Sequence, residues 1–220
     1  MERWRTYCGT LYKEKDPQPS CSFHSDIINE EPDILRSEIE AAIKNLKHHK
    51  APGPDHITAE MLQASGDFGV DILHKLCNMI WHTHQWPSDW TDCSIITIHK
   101  KGSPAKCDNF RTIALISHAS KILLHIINER LKPYIQPQIP PEQAGFTRGR
   151  GTREQILNIR QIIEKDREFN NPLYISFIDY RKAFDKVKWS KLWMVLKEMG
   201  VPLHLISLIQ NLYHLTAHML

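Results

Sequence analysis

An apolar, β-prone run, Leu173–Asp179 with sequence LYISFID, closes on a carboxylate. A charge at the end of such a run is costly unless it is solvated, paired or bound to a cation. Two chemistries follow for Asp179. It caps the helix that comes next, or it holds a cation. The next candidates are basic. His99, Lys100, Lys101, Lys106 and Arg111 crowd one stretch, and Arg148, Arg150 and Arg153 crowd another. Both stretches contain glycine and fall in expected loops, the setting in which lysine and arginine meet phosphate. A solvated surface is the alternative. A third cluster, Cys77, His82, His84 and Cys93, carries zinc-type donors. Its spacing fits no zinc module, and it lies on and after an apolar-periodic helix.

Composition bounds what can hold these groups. The chain has 220 residues, 41% of them hydrophobic and 24% charged, with a net charge of +3. That supports one large domain or two small ones and argues against wholesale disorder. No apolar run approaches the roughly 18–20 residues of a membrane span. The start, MERWRTYCGTLYKEKD, lacks the apolar core of a signal peptide. A nuclear or cytoplasmic, non-secreted protein with no membrane partner is expected. The five cysteines are odd in number and form no CxxC, so no disulfide framework is indicated.

The positioning elements follow from periodicity. Residues 1–30 read as a short helix on Trp4, Tyr7 and Leu11 followed by a proline-broken linker. A helix to about Leu46 carries Leu35, Ile39, Ile43 and Leu46 on one stripe, with Ser37 and Glu40 at capping-box spacing. HHKAPGPD, residues 48–55, is a rigid loop, because two prolines fix φ around Gly53. Helices follow at about Ile57–Gln63 and Val70–His84, the second turning Leu73, Leu76, Cys77, Ile80 and Trp81 inward. Cys93–His99 and Phe110–Ile116 read as two strands with a basic tip between them. A helix covers about Ser120–Leu131. Another, opened by Thr152 and Gln155, runs to about Glu168 on Ile156, Ile159 and Ile163. Leu173–Asp179 reads as a strand with Leu173, Ile175, Phe177 and Asp179 on one face. The last helices lie near Lys191–Met199, ended by Gly200, and His204–Tyr213.

Several ordered segments resemble one family. They are HKAPGPDHITAEML, PSDWTDCSIITIHKKG, NFRTIALISHASKIL, QAGFTRGRGTREQI, FIDYRKAFDKV and LWMVLKEMGVP. Together they are similar to the reverse transcriptase of non-LTR (LINE-like) retrotransposons, nearest the RTE (BovB-like) type, from about Ile34 onward. The resemblance implies an α+β right-hand polymerase, predominantly helical with a few short strands. It implies a linker or N-terminal extension over 1–30, fingers over 31–170 and a partial palm over 171–220.

Site residues carry over position by position. Asp179 matches the first palm acid and implies a catalytic Mg²⁺ ligand, assisted by the backbone near Tyr180. Phe184 matches the ring that excludes a 2′-hydroxyl; a core role on the palm helix is compatible with it. Asp185 matches a shared acid expected to be structural. Lys100, Lys101 and Arg111 match the basic finger strands on the nucleotide triphosphate. Gln143, Gly145, Phe146, Arg148 and Gly149, with Arg150, match the segment along template and nucleotide. The implied partners are an RNA template, a DNA primer and deoxynucleotides.

Two departures bear on activity. Thr147 and Thr112 replace a basic residue and a proline common in the family, which leaves the assignment intact. No Y-A-D-D turn and no Asp-Asp pair occur anywhere in the chain. The expectation is therefore a polymerase truncated before that turn, without thumb or endonuclease, and inactive by itself. The alternative is a non-catalytic nucleic-acid-binding remnant. Either way, 173–220 is expected to be less stable than the fingers, because its strand lacks partners.

Overall fold

The computed structural model describes residues 2–12, 31–180 and 182–217, with residues 12 and 215–217 described by their backbone alone. The expected linker, from residue 13 to 30, lies outside the described residues. Nine α-helices and two strands are described, so the chain is mostly helical with one antiparallel pair, compatible with an α+β class.

The core is built from apolar stripes. In α2 (Arg36–Lys44), Ile39 and Ile43 are buried. In α4 (Gly66–Thr83), Val70, Leu73, Cys77, Ile80 and Trp81 are buried, a spacing that keeps one helical face inward. In α6 (His118–Ile135), Ile122, Leu123, Ile126 and Ile127 are buried. One continuous cluster joins these to Trp86, Trp90, Trp193, Leu196, Val201, Leu205, Ile206 and Leu208. Before α4 lies α3 (Ala59–Ala64), capped by the Thr58 hydroxyl, which accepts the Met61 N–H at 3.3 Å. After α4, His84 takes a left-handed φ of +55° and ends the helix, and α5 (Ser88–Thr91) is a single turn.

The caps differ from expectation. α2 is capped at Leu35, whose N–H donates to the Glu38 carboxylate at 2.8 Å, and not by Ser37 and Glu40. Leu35 is accordingly exposed, and its neighbour Ile34 takes the buried place. In α7 (Thr152–Glu168) the cap is Gly151, whose N–H donates to Glu154 at 2.9 Å, and not Thr152 with Gln155. In both cases a glutamate three residues on reaches back to the N-cap N–H, so the helix starts one or two residues earlier than the hydroxyl residue suggested.

HHKAPGPD is a latch in the plain steric sense. A Cβ on Gly53 would lie 2.5 Å from the Ser117 nitrogen, so only glycine lets the loop pack on the start of α6. The His49 N–H, in a left-handed residue, donates to Glu60 at 2.7 Å.

The two strands match their expected bounds. β1 (Cys93–His99) pairs antiparallel with β2 (Phe110–Ile116), from Cys93 opposite Ile116 to His99 opposite Phe110. Every residue of β1 is exposed, so the hairpin projects from the core. Its loop is ordered by its own bonds. The Lys100 N–H donates to the Asn109 carbonyl at 2.8 Å, and the Asn109 amide donates to the Ser103 carbonyl at 2.9 Å.

Two expectations fail in the later half. Leu173–Asp179 is extended but is not a strand, because no described segment pairs with it; Tyr174, Phe177 and Ile178 are all exposed. A strand is a hydrogen-bonded pair, and the apolar pattern alone cannot supply the second member. The stripe of α7 is likewise uncovered: none of its residues is buried, and Ile156 is 66% exposed. By contrast α8 (Trp189–Glu198) and α9 (Leu203–Ala217) belong to the main core. Gly200, at φ +76°, ends α8 with paired bonds, Gly200 N–H to the Lys197 carbonyl and Val201 N–H to the Leu196 carbonyl, both 3.0 Å. The Trp86 indole donates to the Leu208 carbonyl at 3.2 Å, and Gln138 donates to the Met199 carbonyl at 2.7 Å. The exposed stretch thus covers 173–180 and 183–187, and the helices after it are part of the common core.

A buried imidazole gives that core a pH dependence. His204 is 1% exposed, 4.7 Å from the rings of Trp81 and His84, and its Nε2 has no hydrogen-bond partner. Burial, then the neighbouring His84, push its pKa from 6.5 down to about 4. The unfolded chain therefore binds a proton that the folded chain refuses. The stabilisation is complete above the unfolded value and is lost as pH falls from about 6.5 to about 4. Urea titrations across that window should show a loss on the order of 2 kcal/mol. His204→Leu should remove most of the slope; an unchanged slope would assign it to other groups.

Candidate polymerase site

The candidate residues lie on three segments far apart in sequence. The first is the hairpin. Lys100 and Lys101 stand at its tip and Arg111 on β2 opposite Ile98, all three exposed. Exposure keeps their charges hydrated in the free protein and leaves them open to an anion.

The second segment, Gln143–Gly151, is a loop tied to itself. The Gln143 amide donates to the Gly145 carbonyl at 2.9 Å, and the Thr147 hydroxyl donates to the Gln143 carbonyl at 3.2 Å. Arg150 donates through Nη1 to the Pro141 and Gln143 carbonyls, the latter at 2.7 Å. Arg150 therefore shapes the loop while remaining exposed, and Arg148 beside it is exposed too. Phe146 sits at φ +60° with its ring 96% exposed. A bulky residue in the left-handed region is uncommon and marks a constrained loop. Beside it an apolar groove of about 540 Å³ runs along Gly145, Phe146, Gln155, Ile156 and Ile159.

The third segment carries Asp179, Tyr180 and Phe184. Asp179 is exposed, and Tyr180 is 75% exposed. Phe184 opens a 3₁₀ turn, Phe184–Lys186, that includes Asp185. Among the described residues Asp179 caps no α-helix.

This third segment touches the other two. The Phe184 ring meets the Phe146 ring edge to face, with centroids 5.7 Å apart and an interplanar angle of 87°. Lys182 Nζ lies 3.2 Å from the Asp108 carboxylate in the hairpin loop. Residues 108, 146, 182 and 184 thus bring together the hairpin tip, the glycine–arginine loop and the stretch after Asp179.

As a metal site this is partial. A carboxylate oxygen is the donor type Mg²⁺ takes, and Asp179 offers it to solvent. Among the described residues no group of three or more His, Cys, Asp or Glu is placed to hold an ion. The Cys77, His82, His84 and Cys93 group is dispersed. Burial raises the Cys77 thiol to about 12, His82 lies 3.1 Å from Asp33, and His84 contacts Ser207 at 3.0 Å.

One basic feature escaped the sequence reading. A cavity of about 280 Å³ is lined by Lys47, Lys50, His118, Lys121 and His125, with no carboxylate in its wall. Its residues come from the end of α2, the loop after it and one face of α6, so no local cluster announces it.

Residues 98–219, more than half the chain, match the family described as reverse transcriptase (RNA-dependent DNA polymerase). Three curated relatives agree. A probable RNA-directed DNA polymerase from transposon BS of Drosophila melanogaster is 33% identical over 160 residues, covering 70% of this chain and 17% of that protein. The RNA-directed DNA polymerase from mobile element jockey of the same species is 29% identical, with the same coverage. The retrovirus-related Pol polyprotein from type-1 retrotransposable element R2 of Popillia japonica is 30% identical over 169 residues, covering 76% of this chain and 22% of that protein. The protein belongs to the reverse transcriptase family, and its kin are the non-LTR, LINE-like retrotransposon enzymes. It spans about a fifth or less of the length of these relatives. No helix among the described residues is long and apolar enough to cross a membrane.

Proposed function

We propose that the chain supplies the fingers, over 31–170, and the first part of the palm, over 171–220, of an RNA-directed DNA polymerase from an RTE-type (BovB-like) element. The observation that carries this reading is the meeting of the three segments: Phe146 on Phe184, and Asp108 on Lys182.

In this reading the hairpin cations hold the triphosphate. Lys100 and Lys101 act as point charges and Arg111 as a fork. Phe184 lies under the sugar, where its ring leaves no room for a 2′-hydroxyl, so deoxynucleotides are selected. Phe146 and Arg148 run along the template, with Gln143, Gly145 and Arg150 fixing the loop that presents them. Asp179 gives one carboxylate to Mg²⁺, and the backbone at Tyr180 lies beside it. When bound, the ion supplies the charge that phosphoryl transfer requires. The basic wall of Lys47, Lys50 and Lys121 extends the surface available to phosphates without reading sequence.

Primer extension tests the proposal. The chain continued by the downstream polymerase sequence of a relative should extend a DNA primer on RNA with deoxynucleotides and Mg²⁺. It should strongly prefer them to ribonucleotides, and Phe184→Ala should relax that preference. Extension without any discrimination at Phe184 would remove the sugar-gate assignment. Nucleic-acid binding without extension would favour the non-catalytic reading.

A further inference from the structure

We propose that α1 (Glu2–Tyr12) is a clasp, with Tyr7 and Lys182 converging on Asp108 to tie the Asp179 segment to the hairpin tip. Three contacts define it. The Tyr7 hydroxyl donates to Asp108 Oδ1 at 2.9 Å. Lys182 Nζ donates to the same oxygen at 3.2 Å. The Lys182 ammonium also sits 4.4 Å from the centroid of the Tyr7 ring. One oxygen thus accepts from residues 7 and 182, and the cation is held between a carboxylate and an aromatic face.

The helix is anchored around this point. Trp4 packs edge to face on Phe110, at 5.2 Å, and Arg3 donates to the Ala105 carbonyl. Cys8 and Cys107 are both buried. Each of these partners lies in the hairpin loop or at the start of β2, so α1 stiffens the part of the hairpin that projects from the core.

The effect reaches Asp179 through Lys182. The Lys182 side chain is only 14% exposed, whereas residues 173–180 and 183–187 are open to solvent. Its backbone sits at φ +54°, a conformation that a lysine adopts when outside contacts hold it there. Lys182 lies three residues after Asp179 and two before Phe184. Tyr7, Asp108 and Lys182 are therefore positioning residues: they touch no reacting atom and fix where Asp179 and Phe184 stand. The clasp itself is independent of the polymerase reading, and its role in catalysis rests on that reading.

Chymotrypsin cleavage of the whole chain tests the clasp without reference to activity, because Tyr174, Phe177, Tyr180 and Phe184 are exposed and cleavage requires the segment to move into the protease. Tyr7→Leu and Lys182→Met should each speed cleavage within 173–187 by about fivefold or more, because a tie to ordered structure is lost. The double variant should add little to either. Lys182→Arg, which keeps the charge and the ring contact, should restore slow cleavage. Hydrogen exchange in α4 and α6 serves as the control for folding, and Tyr7→Phe, which removes only the hydroxyl, is the milder variant. Unchanged cleavage within 173–187 in both Tyr7→Leu and Lys182→Met overturns the clasp, as does loosening of α4 and α6 to the same extent. In the continued polymerase, Tyr7→Phe should raise the Mg²⁺ concentration needed for half-maximal extension. If cleavage responds while the Mg²⁺ requirement does not, the positioning role is overturned and the clasp is only structural.

Discussion

Asp179→Asn should lower deoxynucleotide incorporation by about a thousandfold in the polymerase assembled around this chain, a loss of the size seen when one preorganised charge-stabilising group is removed. The substitution keeps the shape of the side chain and removes its charge. Asp179 is exposed, and the stretch around it packs on little, so the fold has nothing to lose. Circular dichroism and urea midpoint should stay within error of the parent, and binding of a primed template should change by no more than about twofold, since the proposal assigns the template phosphates to other residues. Single-turnover kinetics with saturating deoxynucleotide separate the two effects. A fall in affinity with an intact rate of chemistry would move Asp179 out of the metal role and into substrate binding.

The second large effect concerns stability and centres on Arg130. Its guanidinium forks onto Glu38, with Nε on Oε1 at 3.0 Å and Nη2 on Oε2 at 2.7 Å. It also donates to the carbonyls of Asp33, at 2.8 Å, and Pro32. Its flat face covers the buried Trp81 ring at 4.6 Å. Partial burial pushes the Glu38 carboxyl up, but the Arg130 and Leu35 hydrogen bonds outweigh it and hold the group below its ordinary value. Glu38 in turn is the group that caps α2. Arg130→Ala therefore strands a half-buried carboxylate, frees two carbonyls and uncovers an indole together. The expected cost is about 3 kcal/mol by urea denaturation, toward the lower end of the range for breaking a buried pair because both groups keep some solvent. Arg130→Lys keeps the charge without the fork and should recover less than half of that. A cost below about 1 kcal/mol for Arg130→Ala would reduce the pair to an ordinary surface bridge.

What could be read from the sequence, and what could not, divides along physical lines. β1 and β2 fall within their expected bounds because CSIITIH and FRTIALI are β-branched runs bounded by breakers, and each finds its partner a short loop away. The core face of α4 was legible because five apolar residues keep one helical stripe. LYISFID carries an equally clear pattern and forms no strand, because pairing is a property of two segments. Ile156, Ile159 and Ile163 make the same point for α7: amphipathicity announces a face to be covered, and no described element covers it. The caps at Leu35 and Gly151 were misplaced by one or two residues, since several polar side chains compete for the same few orphan N–H groups. For the site, the basic residues of the hairpin and loop were visible as local clusters. The convergence of Phe146 with Phe184, and of Tyr7 with Asp108 and Lys182, was not, because each contact joins residues dozens of positions apart. Arg150 was visible only as one more basic residue, and its bonds through Nη1 to the loop's own carbonyls could not be read from composition.

In the proposed function the three joined segments form a surface for a primed RNA template and its incoming nucleotide. Fluorescence anisotropy of a DNA-primed RNA, titrated with the chain at salt from about 50 to 200 mM, tests it most directly. Affinity should fall linearly on a log–log plot as counterions are displaced. Changing Arg148 to glutamine should flatten that slope by about 0.7, the value for one single-strand phosphate contact. Changing Lys100, Lys101 and Arg111 together should leave the slope in place and weaken binding of a deoxynucleoside triphosphate to the primed complex. Binding at low salt no tighter than that of a neutral control protein, or a slope untouched by Arg148→Gln, would contradict this assignment.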